Sequence, residues 1–125
     1  MNSDPYDDLF VKEDESKEVI ANTIKRFIKF TEGGEFIYQT DFKELSIGQK
    51  ALIVFLASKV LKSRSVIPEE GYKIEKLTEL IGAKKSSIKG QLYGKFKEYI
   101  KSDDGRIFIP SYKVNDAISK ITEKT

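Results

Sequence analysis

Six lysines crowd residues 83–101 against a single acid, Glu98: they are Lys84, Lys85, Lys89, Lys95, Lys97 and Lys101. Ser86, Ser87 and Tyr93 are interleaved with them, and Arg106 follows. Ammonium, guanidinium and hydroxyl groups at this density suit the binding of a polyanion. They donate to phosphate oxygens and, when carried on one face, to base edges. The ordinary alternative for such a run is a solvated charged surface. The means for covalent chemistry are few. The chain has no His and no Cys, which removes the commonest general base, the thiolate nucleophile and the usual zinc ligands. Residues 90–95 read G-x-x-x-G-K, one residue short of a P-loop, and Phe96 stands where Ser or Thr is needed. Asp103-Asp104-Gly105 lacks the alternating ligands and distant Glu of a calcium loop. No catalytic residue, metal site or cofactor is expected, and the chain is not read as an enzyme.

Composition points the same way. The 125 residues are 39% apolar and 34% charged, a globular balance for one domain of ordinary size. The net charge of +2 hides an asymmetry: residues 1–18 hold seven acids and two lysines, a sum of −5, so the rest carries +7. An acidic tail beside a basic patch suits a polyanion-binding face, with the tail folding over that face to weaken non-specific binding. The acidic start is unlike a signal peptide and the longest apolar run, residues 51–57, is too short to span a bilayer. A cytoplasmic location, away from membranes, is the expectation.

The elements that must position these side chains follow from periodicity and punctuation. Residues 1–14 read as an acidic flexible arm. Residues 15–45 read as an N-terminal helix and a connection. The helix is expected over 15–31, on Ile20, Ile24, Phe27 and Ile28, with Gly33-Gly34 stopping it. Residues 35–42 read as a short strand or an extended connection. Ser46 with Gln49 forms a capping box. The helix it opens, to about Lys62, is apolar nearly all round and is therefore expected to be central. Pro68 and Gly71 mark a break. After the extended residues 72–74, a short helix over 75–81 carries Leu77, Leu80 and Ile81 on one face, and Gly82 ends it. A second helix over 86–98 carries Ile88, Leu92, Phe96 and Tyr99 on its buried stripe. Strands at 99–102 and 106–110 are joined by the Asp-Gly hairpin signal. Asn115 is the expected N-cap of a last helix with Ala117, Ile118 and Ile121 apolar.

From Ser46 the order is helix, strand, helix, turn, helix, strand, turn, strand. The segment KIEKLTELIGAKKSSIKGQLYGKF resembles the helix-turn-helix of winged-helix regulators such as the MarR and ArsR groups. Ile74, Leu77, Leu80 and Ile81 match the packing positions, Gly82 the turn, and Ser86-Ser87 the opening of the recognition helix. The resemblance covers residues 46–110. It implies a mainly α fold with a small β-wing: a winged helix-turn-helix, residues 46–125, with an extra N-terminal helix and a C-terminal helix. It also implies double-stranded DNA as partner, bound sequence-specifically or generally by a transcriptional regulator. A-form RNA grooves are poorly read by a helix.

At 100° per residue the expected outer face of the second helix carries Ser86, Ser87, Gly90, Tyr93, Gly94 and Lys97, flanked by Lys89. Lys84 and Lys85 lie at its N-terminus, where phosphates bind, and Lys101 and Arg106 lie on the wing. The expected DNA-binding set is therefore Lys84, Lys85, Ser86, Ser87, Lys89, Gly90, Tyr93, Lys97, Lys101 and Arg106. Tyr93 packs on the wing or contacts DNA. Gly90 and Gly94 each weaken a helix by roughly 1 kcal/mol relative to Ala. They suggest close approach of a partner backbone, which opens a protein-protein reading: an interaction module in a transcription, replication or segregation assembly. A homodimer joined through helix 15–31 and the C-terminal helix is the expected oligomer.

Overall fold

A computed structural model describes residues 4–6 and 13–122, without the side chains of residues 13–16. Most of the acidic arm expected at residues 1–14, and with it any contact of that arm with the basic face, lies outside the described residues. The described chain is mainly helical with two small antiparallel hairpins. None of its helices is long and apolar enough to cross a membrane.

The central element is α3 (Ile47–Ser63). Its residues 51–57 are wholly buried, as an apolar circumference requires. Its start is fixed by the expected capping box: Ser46 Oγ accepts the Gln49 N–H at 3.2 Å, and Gln49 Oε1 accepts the Ser46 N–H at 3.0 Å. A box of this kind stabilises a helix by about 1 kcal/mol. Helices α1 (Glu13–Ile24) and α6 (Val114–Thr122) pack on α3 and on each other. Ile20 and Ile24 of α1 and Val114, Ala117 and Ile121 of α6 are buried in one core with α3.

The first helix is shorter than its periodicity suggests. It ends at Ile24, and the chain turns into β1 (Ile28–Phe30), which pairs with β2 (Phe36–Tyr38) in the register Ile28↔Tyr38 and Phe30↔Phe36. Gly33-Gly34 thus closes a hairpin and does not stop a helix. Cross-strand packing decides the outcome. Phe30 meets Phe36 edge-on at 5.3 Å, and Tyr38 lies 4.8 Å from Phe42 of α2 (Thr40–Lys43). Ile28 is buried at the same time, so helical spacing and strand pairing bury the same residue and only the partner strand distinguishes them.

Beyond α3 come α4 (Ile74–Ile81), α5 (Lys85–Leu92) and the hairpin β3 (Lys101–Asp103) with β4 (Arg106–Phe108). Asp104 and Gly105 have φ of 52° and 80°, two left-handed residues in succession, which is the turn that matches strand twist in a two-residue hairpin. Tyr72 exchanges two backbone hydrogen bonds of 2.9 Å with Ile107, so a single residue from before α4 bridges to the hairpin. Before α6 the expected N-cap is displaced. The chain enters through a 3₁₀ turn (Ser111–Lys113), and Asn115 lies inside the helix. Burial of Val114 sets that start.

Two outcomes follow. A Cβ on Gly48 would collide with the ring of buried Phe96. Gly48→Ala should therefore destabilise the fold by about 1–3 kcal/mol in urea unfolding, although Ala is the better helix former; an unchanged midpoint would refute the packing argument. Burial, with a smaller contribution from Tyr38, pushes the Tyr72 phenol up to about 12. The neutral phenol is the form the fold prefers, so its contribution is whole below about pH 10, the ordinary tyrosine range, and is lost as pH rises through about 12. Thermal unfolding should show this alkaline loss, and Tyr72→Phe should reduce it.

Candidate nucleic-acid interface

Helix α4 and helix α5 pack on each other, and three devices hold the turn between them. Gly82 caps α4 in the left-handed region at φ 75°, its N–H bonding Thr78 O at 2.9 Å; a side chain there would be strained. Ile74, Leu77 and Ile81 of α4 and Ile88 and Leu92 of α5 are buried. The third device comes from the first hairpin: Tyr38 Oη donates to Leu80 O at 2.7 Å. The first hairpin thereby fastens the last turn of α4, immediately before the turn that launches α5.

Helix α5 is shorter than expected. It runs over Lys85–Leu92, not 86–98, and is followed by turns and a 3₁₀ segment (Lys97–Tyr99). Its end is tied to the start of α3. Gln91 Oε1 accepts the Gly48 N–H at 2.7 Å, satisfying one of the amides that a helix leaves free at its N-terminus. Gln49 Nε2 donates to Lys120 O and Ile121 O at 3.2 and 3.1 Å, so the end of α6 is drawn to the same place. Gln91 carries no motif. Its only sequence signal is a polar residue between two core positions, Ile88 and Leu92.

The expected site residues fall into three groups. Lys84 is the N-cap of α5; Lys85, Ser86 and Ser87 form its first turn, with Lys89 and Gly90 in the second, all exposed. No side chain caps this N-terminus, which leaves its partial positive charge facing water. Tyr93, the C-cap, is 51% exposed. Lys97 is exposed in the 3₁₀ segment. The residues expected on the wing are engaged. Lys101 at the start of β3 holds its ammonium 5.3 Å from the centre of the Tyr112 ring, and Arg106 Nε lies 3.0 Å from Glu69 Oε2. Arg106 is thus half-buried against the loop before α4 and does not stand free at the wing tip. Lys85 is also paired, 3.2 Å from Glu75 Oε1 on α4. The Glu75 carboxyl lies below its usual range, through its own backbone N–H first and the Lys85 ammonium second.

The two glycines separate. Gly94 lies beyond the helix, and its Cβ would stand 2.7 Å from the Gly90 carbonyl oxygen. The close backbone approach at Gly94 is therefore internal and terminates α5. At Gly90 a Cβ would meet nothing within 4 Å. The surface carrying Gly90 is bare backbone between Lys89 and Tyr93.

Compared with protein-family models, curated proteins and solved structures, the chain finds no match. The interface therefore rests on its own geometry.

The glycines should respond oppositely to alanine. Gly90→Ala, in open helix, should stabilise the fold by about 0.5–1 kcal/mol. Gly94→Ala should destabilise it, because the carbonyl it meets is backbone and cannot turn aside. Equal shifts of the unfolding midpoint would contradict the assignment.

Proposed function

We propose that the chain is a winged helix-turn-helix protein that binds double-stranded DNA, sequence-specifically or generally, as a transcriptional regulator. One observation carries the reading. Helix α5 is anchored by Ile88 and Leu92 on one side, while its uncapped N-terminus and other face present Lys84, Lys85, Ser86, Ser87 and Lys89 to solvent. A groove-binding helix must be held from behind in this way, with donors in front. Phosphate contacts from Lys84, Lys85, Lys89 and Lys97 supply most of the affinity, with the N-terminal amides of α5 adding to them. The hairpin β3–β4 is the wing, and its bridge to Tyr72 supplies the sheet's third member.

The protein acts as a homodimer in this reading, as modules of this kind gain specificity from two-fold symmetry. The apolar stripes of α1 and α6 are used within the core. Pairing through these helices would rely on their outer faces, where Val19 is 40% exposed. A second reading, a winged-helix module that binds a protein within a larger assembly, is favoured by the bare backbone at Gly90, which offers no base-reading side chain.

Fluorescence anisotropy with a random 30-base-pair duplex, run across a salt series, tests both. Contacts to about three or four phosphates give a log–log salt slope near −3 to −4. Replacing Lys84, Lys85 and Lys89 together with Ala should remove most of that slope and weaken binding at least about tenfold at low salt. A folded protein that ignores the duplex at low salt would defeat the DNA reading and favour the protein partner.

A further inference from the structure

Two of the cations at this surface are already held by carboxylates from other elements. Lys85, in the first turn of α5, pairs with Glu75 of α4, and Arg106, at the turn end of the β3–β4 hairpin, pairs with Glu69 of the loop before α4. These pairs differ in kind from Lys76–Glu79 and Lys113–Asp116, which join helical neighbours three residues apart. Residues 75 and 85, and residues 69 and 106, meet only because the tertiary fold brings them together. Lys84, Lys89 and Lys97, by contrast, have no carboxylate within ion-pair distance among the described residues.

A lysine that is to reach a phosphate must first leave any carboxylate it holds. The exchange replaces one anion by another, so the gain is the difference between two charge-assisted contacts and not the whole of one. The free lysines give their full contribution and the paired ones a fraction of it. Both pairs are exposed enough for water and salt to weaken them, with side-chain exposures of 52% and 72% for Lys85 and Glu75 and 33% and 65% for Arg106 and Glu69. They can therefore open, and each sets a modest opposing term.

We propose that Glu75 and Glu69 act as built-in competitors for the DNA backbone, holding Lys85 and Arg106 so that the protein binds phosphate below the strength its cations would allow. The inference rests on the duplex-binding reading above. Its consequence is a lower affinity for DNA at large, where phosphate contacts are the whole of the binding, so that contacts made through groove-facing residues weigh more in deciding where the protein stays. Neither acid touches DNA in this scheme; each is a positioning residue that acts through the cation it holds.

A double-mutant cycle on the full chain tests it, with the same random 30-base-pair duplex as probe. Glu75→Gln should tighten binding about 1.5- to 5-fold at low salt, the range expected for one exposed pair, with the gain shrinking as salt rises. The same substitution in a Lys85→Ala background should give almost no gain, because the cation that the acid restrains is gone. Glu69→Gln and Arg106→Ala form the matching cycle. Glu79→Gln removes the same charge one turn along α4 and should tighten binding less. Unfolding midpoints of all variants establish that the fold is intact. Equal gains with and without the partner cation, or no gain over Glu79→Gln, would overturn the proposal while leaving duplex binding in place. Failure of the wild-type protein and of every acid variant to bind at low salt would instead remove the DNA reading itself, and this proposal with it.

Discussion

Seven consecutive residues of α3, 51–57, are out of solvent on every side, and four other helices pack on α3. The buried part of α3 offers no face to a ligand; what it does is fix its neighbours. Helices α1, α4, α5 and α6 all lean on it. Its N-terminus is the sharpest point of this arrangement. Ser46 and Gln49 close the helix locally, Gln91 closes it from α5, and Gln49 reaches on to the last carbonyls of α6. Gly48 is the consequence: with Phe96 against it, a side chain has no room. One helix end, with its free amides, thus sets where the candidate DNA-binding helix stops.

That constraint explains the shape of the basic surface. Since α5 is held through its buried stripe and its C-terminal end, its N-terminal half is what remains available. The cations of this half and of the β3–β4 hairpin are not equivalent. Lys84, Lys89 and Lys97 are unpaired among the described residues, whereas Lys85, Arg106 and Lys101 each answer to another element. A count of positive charges along the chain treats them alike. The folded surface ranks them, because a cation already opposite a carboxylate or an aromatic face exchanges one favourable contact for another when it meets a phosphate.

Residues 20–42 have their place in the same scheme. Their aromatic row, Phe30, Phe36, Tyr38 and Phe42, is a packed edge of the domain, and Tyr38 ends it on a carbonyl of α4. The first hairpin therefore supports the end of α4, just before the α4–α5 turn. The segment belongs to the common core through Ile20, Ile24, Phe27, Ile28 and Phe42.

Much was legible without coordinates, and the reasons are local. The capping box at Ser46, the left-handed stop at Gly82, the Asp-Gly turn and the all-apolar circumference of α3 are each dictated by backbone chemistry within a few residues. The stripe Ile88, Leu92 and Phe96 gave the buried side of α5 and hence its exposed side. What the sequence left undetermined depended on distant partners. Ile28 reads as helical by its spacing, and only its pairing with Tyr38 places it in a strand. Helix α5 reads as longer than it is because Phe96 continues its spacing, yet the turn at Gly94 and the pull of Gln91 on Gly48 end it at Leu92. The carboxylates that hold Lys85 and Arg106 lie ten and thirty-seven residues away in the chain. No periodicity encodes such a meeting, because it arises only when α4 and α5 are folded against α3 and the β3–β4 hairpin meets the loop before α4.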